Sequence, residues 1–247
     1  MIEMNNQAIR QRHQGYSLIE LMIAITISLI LMAGVGQIFL STKTSYNLQN
    51  GLGRLQENAR FALEILSQNI GQAGFTTNLD GIDNFDNANI KENETANATL
   101  GFTAASNTAS DVIAINYTSA TDCLGNATGG GGVATDRYYL NGSTLMCLGN
   151  GSGTPGALAD GIDNMQILYG EDTDNDDVVN IFVNADNVTS WPNIKNVRIA
   201  LLASTVDQMG TANQDTNTHV LLNTPVIGPL NDNMLRRVFS TTITIRN

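Results

Sequence analysis

Between Leu21 and Thr42 the chain carries no charged residue, and no other feature restricts its folding as much. A helix rises about 1.5 Å per residue, and roughly 20 apolar residues cross the hydrocarbon core of a bilayer. The stretch is therefore long enough to span a membrane. Its entrance is unusual: residues 15–36 read GYSLIELMIAITISLILMAGVG, with one carboxylate, Glu20, just inside. A carboxylate within a membrane segment costs a few kcal/mol on insertion scales, so its presence asks for a functional reason. Upstream, Arg10 and Arg12 stand against the single acid Glu3, whereas the flank after Lys43 is of mixed charge. The positive-inside rule then puts the short N-terminus in the cytoplasm and the C-terminal bulk across the membrane. In an oxidising space the two cysteines, Cys123 and Cys147, are expected to bridge, with two reduced buried thiols as the alternative.

A cleaved secretory signal would show a small-residue site after the apolar run, and GQIFLSTKTSYN offers none. A plain anchor fits the length but leaves Glu20 unexplained. The whole chain has 12 Lys+Arg against 23 Asp+Glu, a net charge of −11. It forms no basic patch, which argues against binding nucleic acid through phosphates.

After Lys43, Leu48, Leu52, Leu55, Ala59, Ala62, Leu66 and Ile70 recur in steps of three and four, the stripe of an amphipathic helix. Phe61 and Ile65 are expected to widen it, and Gly71 and Gly74 to end it. Gly34 and Gly36 mark either a place where the helix loosens or a place where helices approach closely. Beyond Phe75 the pattern changes to short β-like runs between Asn, Gly, Asp and Ser turns. The expected strands are Val112–Tyr117, Arg137–Leu140, Thr144–Leu148, Met165–Tyr169, Val178–Val183, Val197–Leu202 and Val238–Ile245. In the last, Phe239, Thr241, Ile243 and Ile245 share a face. The glycines of GNATGGGGV, residues 125–133, lack the strand-then-helix setting of a phosphate cradle and read as a loop.

The basic leader, Gly15, the aromatic Tyr16, then Ser-Leu-Ile-Glu and a long apolar run resemble the class III signal of the type IV pilin and pseudopilin family. The resemblance implies an α+β fold of pilin type, with a long N-terminal helix packed on an antiparallel β-sheet head. It implies a leader over 1–15, a transmembrane and polymerisation helix over 16–42, an amphipathic helix over 43–74 and a β-rich head over 75–247. Prepilin peptidase would cleave between Gly15 and Tyr16, and Tyr16 would be N-methylated; phenylalanine is commoner at that place. Glu20 then lies one helical turn from the new ammonium and can pair with it, or with that of a neighbouring subunit, as an assembly device. NARFALEILSQNIGQAGF, YGEDTDNDD, WPNIKNVRIALL and RRVFSTTITIRN further resemble W-type minor pilins of type IV pilus systems. The implied role is priming of pilus assembly within a tip complex. The implied partners are other minor pilins, the major pilin, the inner-membrane assembly platform and the peptidase. The chain would be a single-pass inner-membrane protein before assembly and lie at the cell surface afterwards. The alternatives are a J-like minor pseudopilin of type II secretion and a calcium-dependent adhesin on a pilin anchor.

Two stretches bear on chemistry. Asp172, Asp174 and Asp176 alternate in DTDNDD, similar to the calcium loop D-x-[DN]-x-[DN]-G. Asp177 replaces its glycine and Val183 its bidentate glutamate, so Asn180, Asp186 or carbonyls would have to complete a calcium shell; the other reading is a solvated acidic turn. A hydrolytic triad needs a base. Beyond the leader His219 is the only histidine, in a Thr/Asn-rich segment expected to be exposed. With the cysteines paired, zinc is disfavoured as well. No enzyme is expected.

Overall fold

A computed structural model describes residues 15–75, 85, 91–94, 96–97, 102–103, 110–129, 132–208 and 215–245. The expected leader lies outside them except for Gly15. The chain divides into two compact units, Met1–Tyr46 and Asn47–Asn247. Helix α1 (Leu18–Ile70) passes through that boundary.

In the first unit every described residue is exposed, and α1 is long and apolar enough to cross a membrane. Several of its hydroxyls turn back onto the helix. Thr26 Oγ1 donates to the Ile23 carbonyl at 2.8 Å, Ser28 Oγ to Ala24 at 2.7 Å and Thr42 Oγ1 to Ile38 at 2.9 Å. Polar atoms satisfied within the helix need no water, which suits them to a hydrocarbon setting.

In the second unit the expected stripe is the buried one: Leu55, Ala59, Ala62, Leu66 and Ile70 are inaccessible, with Leu48 and Leu52 half-buried before them. Phe61 is a correction. It stands 54% exposed, because it falls outside the arc set by Ala59, Ala62 and Leu66, whereas Ile65 does pack on the core. The helix ends at Ile70, and Gly74 adopts φ +77°, the left-handed region open to glycine. The Gly74 amide donates to the Asn116 carbonyl at 2.8 Å, which fixes the exit of the chain.

The architecture is α+β, a long N-terminal helix followed by antiparallel sheets. The strands are β1 (Lys91–Glu94), β2 (Ala96–Asn97), β3 (Phe102–Thr103), β4 (Ser110–Thr118), β5 (Val133–Asn141), β6 (Thr144–Gly149), β7 (Gly156–Asp160), β8 (Ile162–Glu171), β9 (Ile181–Val183), β10 (Ile194–Ser204) and β11 (Arg236–Thr244). One sheet has the order β1-β4-β5-β6-β7, a second β11-β10-β8-β9, and β2 pairs with β3 alone. Each expected strand falls within or overlaps one of these. Val178 is a difference: it lies in a bend, and only Ile181–Val183 pairs. β7 was not foreseen, since GALAD carries little β preference and is held by its pairing to β6.

The main core joins the α1 stripe to Ile113 and Ile115 of β4, Tyr138 of β5, Leu145 of β6, Met165 and Tyr169 of β8, Val197, Ile199 and Leu201 of β10 and Ile243 of β11. Each large aliphatic side chain removed from water contributes about 1.5–3 kcal/mol. Phe85, Tyr169 and Trp191 close one end as an aromatic trio with ring centroids 4.9–5.7 Å apart. On the opposite face of β10, Ala200 and Leu202 pack with Leu221 and Ile227 of the segment before β11.

Candidate functional site

Gly15, Tyr16 and Ser17 form an extended lead into α1, which starts when the Leu21 amide bonds back to the Ser17 carbonyl at 3.1 Å. Tyr16 is 86% exposed. Glu20 lies in the first helical turn and is exposed. A carboxylate there meets the positive end of the helix dipole. Around it, Leu18, Ile19, Leu21, Met22 and Ile23 present an apolar surface on all sides. Such a surface suits lipid or packing among like helices.

Cys123 and Cys147 form a disulfide, Cα atoms 6.6 Å apart, joining β6 to the loop after β4. Cys147 is fully buried. The loop is built on two aspartates that sequence reasoning missed. Asp136 of β5 accepts the Tyr117 hydroxyl at 2.6 Å and the Cys123 amide at 3.1 Å. Burial raises the Asp136 carboxyl above its usual range, and burial together with the Asp136 hydrogen bond raises the Tyr117 phenol. Asp122 accepts amides from Leu124, Asn126 and Gly151 at 2.9–3.0 Å. A Cβ on Gly149 would stand 2.3 Å from its carboxylate.

The acidic loop brings together the three aspartates expected to share a metal. Asp172, Asp174 and Asp176 each offer an oxygen within 4.8 Å of the others. Asp172 is buried and its carboxylate is engaged: it accepts the amides of Asn175 at 2.7 Å, Asp176 at 3.3 Å and Asp177 at 2.9 Å. Burial opposes its charge, but these donors prevail and lower its pKa. Asp177, in the glycine place at φ +66°, meets Lys195 Nζ at 2.6 Å. Val183 lies in β9, and Asn180 accepts the Thr173 amide at 2.6 Å. Three carboxylates spaced as in a calcium loop are thus grouped, while Val183 stands in the place of the bidentate ligand.

The largest ionic cluster among the described residues was also missed by sequence reasoning. Arg236 opens β11 with its side chain 4% exposed. Its guanidinium meets Asp163 at 2.7 Å, Asp215 at 3.1 Å and Asp232 in a fork at 2.6 Å and 2.6 Å. Asp163 also accepts Ser143 at 2.7 Å and Ser204 at 2.9 Å. His219 is a correction: its side chain is only 10% exposed, with Nε2 3.2 Å from Asp215. Burial raises and His219 then lowers the Asp215 carboxyl, with a net fall, while the Arg236 hydrogen bond lowers that of Asp232. The cluster pins the 215–232 segment over β8, β10 and β11. The local pattern D-x-x-x-H at 215–219 was the one signal of it in the sequence.

Comparison with known proteins agrees with the two ends of the chain. The prokaryotic N-terminal methylation motif matches residues 10–36, and the family described as type IV pilus-assembly protein W matches residues 128–247. No curated protein matches the chain. Among solved structures it is similar to a type IV-like pilin from Thermus thermophilus at 14% identity and a TM-score of 0.44, over 78% of this chain and 96% of that one. The chain thus joins an N-terminal methylation motif at residues 10–36 to a match with the type IV pilus-assembly protein W family over residues 128–247.

Proposed function

We propose that this protein is a non-catalytic minor pilin that primes assembly of a type IV pilus within a complex of minor pilins at the tip. The observation that carries the reading is the joining, on one chain, of a methylation motif at 10–36 to a pilus-assembly W head at 128–247. Prepilin peptidase cuts between Gly15 and Tyr16, and Tyr16 is N-methylated. Before assembly α1 anchors the protein in the inner membrane, its N-terminus cytoplasmic and its head periplasmic. Glu20 then pairs with an N-terminal ammonium as the subunit is drawn from the assembly platform into a filament with the major pilin. The charge that is costly in lipid when alone is compensated only in the correct register, so the cost itself selects the register.

The test is mass spectrometry of the protein from its native membranes, with and without reducing agent. The expected species begins at methylated Tyr16 and gains two hydrogens on reduction. A chain that still begins at Met1 in a strain with active peptidase overturns the reading. In a deletion strain pili and twitching should be lost. Loss of exoprotein release with intact pili would assign the chain to type II secretion. Loss of calcium-dependent surface binding alone would make it an anchored adhesin.

A further inference from the structure

The core face of β5 carries Ala134, Asp136, Tyr138 and Leu140, all buried. One of them is a carboxylic acid, and it is fully inaccessible. Burying a carboxylate is costly, so its place asks for compensation. The Tyr117 hydroxyl and the Cys123 amide supply part of it, at 2.6 Å and 3.1 Å. Two sulfurs are close as well. Cys147 pairs with Tyr138 across β5 and β6, and an Asp136 oxygen and the sulfurs of Cys123 and Cys147 all lie within 4.8 Å of one another.

Among the described residues, the titratable groups that face Asp136 are Tyr117 from β4, Tyr138 from its own strand, Asp122 from the loop and the two cysteines. The two carboxyls are driven apart. Burial opposes the charge of Asp122, but the amides of Asn126, Leu124 and Gly151 prevail and lower its pKa. Burial raises that of Asp136, and the nearby Asp122 charge adds to the rise. A split of this kind separates the acid that stays charged from the one that exchanges protons. The two sulfurs differ in access: Cys123 is half-buried on the loop, and Cys147 is inaccessible. A disulfide arriving from outside meets Cys123, and Cys147 must act from within. The attacking species is a thiolate, and buried surroundings oppose its formation. Cys147 therefore needs a proton acceptor beside it, out of reach of water.

We propose that Cys123 and Cys147 form a thiol–disulfide exchange site in which Cys123 is the entry sulfur, Cys147 the resolving sulfur and Asp136 the proton acceptor of Cys147. In closure the Cys123 thiol gives its proton to water, and the thiolate attacks an external disulfide R–S–S–R. That bond breaks, a Cys123–S–S–R bond forms, and R–S⁻ leaves and takes a proton from water. Asp136 then takes the proton of the Cys147 thiol as the Cys147 sulfur attacks that of Cys123. The bond to R breaks, the Cys123–Cys147 bond forms, and Asp136 passes its proton to the leaving sulfur as R–SH. The two cysteines are oxidised, the external disulfide is reduced, and Asp136 ends as it began. Reduction runs the same path backwards. The site lies wholly in the second unit and depends neither on cleavage at Gly15 nor on a pilus.

The test uses the full chain in detergent, reduced and then given glutathione disulfide, with samples alkylated over time and the adducts located by mass spectrometry of peptides. In the parent the mixed glutathione disulfide should appear on Cys123 and close quickly. In Asp136→Asn it should form on Cys123 at the parent's rate but close about a hundredfold more slowly at pH 7, the lower end for a positioned proton acceptor. At about pH 10, where thiols ionise without help, the deficit should disappear. Tyr117→Phe keeps the carboxyl and removes a hydrogen bond that lowers its pKa, so the pH midpoint of closure should move upward. The reverse reaction, glutathione acting on the oxidised and folded chain, should be slowed by Asp136→Asn in the same way, which keeps the test valid for a variant weakened by reduction. Equal closure in parent and Asp136→Asn, a deficit that persists at about pH 10, a first adduct on Cys147, or an unmoved midpoint in Tyr117→Phe would each overturn the proposal.

Discussion

Replacing Arg236 by Met keeps the length of the side chain and removes its charge from a site where it faces three carboxylates. Asp163 and Asp215 are 6% and 2% exposed and would be left without a counter-charge; Asp232, at 34%, can turn to water. Removing one partner of a buried ionic group costs about 3–5 kcal/mol. Asp163 keeps two serine hydroxyls, and Asp215 keeps His219 and the Asn217 amide, so the lower end, about 3 kcal/mol, is expected. For a domain of this size that is a fall of roughly 6–12 °C in the melting midpoint. The assay is thermal unfolding of the intact chain in detergent, followed by circular dichroism, at pH 7 and near pH 4. In the parent, Asp215 and Asp232 titrate below their unfolded values. Their stabilisation is therefore present above the unfolded pKa and is lost as pH falls through the folded one. In the variant Asp232 loses its main partner, and Asp215 loses Arg236 while keeping His219 and the Asn217 amide, so both protonate more readily than in the parent, which relieves the uncompensated charge. The deficit should therefore narrow toward pH 4. A loss under about 1 kcal/mol at pH 7, or a deficit that widens on acidification, would refute the view that Arg236 holds the cluster by charge. Arg236→Lys should recover part of the loss, because it restores the charge without the fork to Asp232.

Opening the disulfide, by reductant or by Cys147→Ala with Cys123→Ala, should destabilise the head by about 3 kcal/mol, as the bond closes a loop of sequence separation 24; an unchanged melting midpoint would contradict it. Glu20→Ala should leave the protein at normal levels in the membrane, since insertion becomes easier, and exclude it from sheared pili; equal recovery in pili would remove Glu20 from assembly. Calcium should bind the 172–177 loop no tighter than the millimolar range, because Asp172 is engaged by three amides and Asp177 by Lys195. About 1 mM calcium should then add only ~0.4 kcal/mol; calorimetry giving a submicromolar constant would show a complete shell.

What could be read in the sequence was whatever repeats along the chain. The α1 stripe from Leu55 to Ile70 and the alternation of Phe239, Thr241 and Ile243 are periodic, and periodicity survives without knowledge of neighbours. The signal around Gly15, Tyr16 and Glu20 is likewise contiguous. Contacts without local pattern were invisible. Asp163 and Arg236 are 73 residues apart, and nothing near Asp163 announces a buried carboxylate rather than a solvated turn. His219 looked exposed for the same reason: its neighbours are polar, and its burial comes from Asp215 folding against Arg236. GALAD becomes β7 only because β6 offers it an edge. The edge character of β11 belongs to this class too. Its alternation is plain in the sequence, but whether a strand is central or outermost follows from sheet order, which no single strand encodes. That order makes VFSTTIT an outer strand among the described residues rather than a central one.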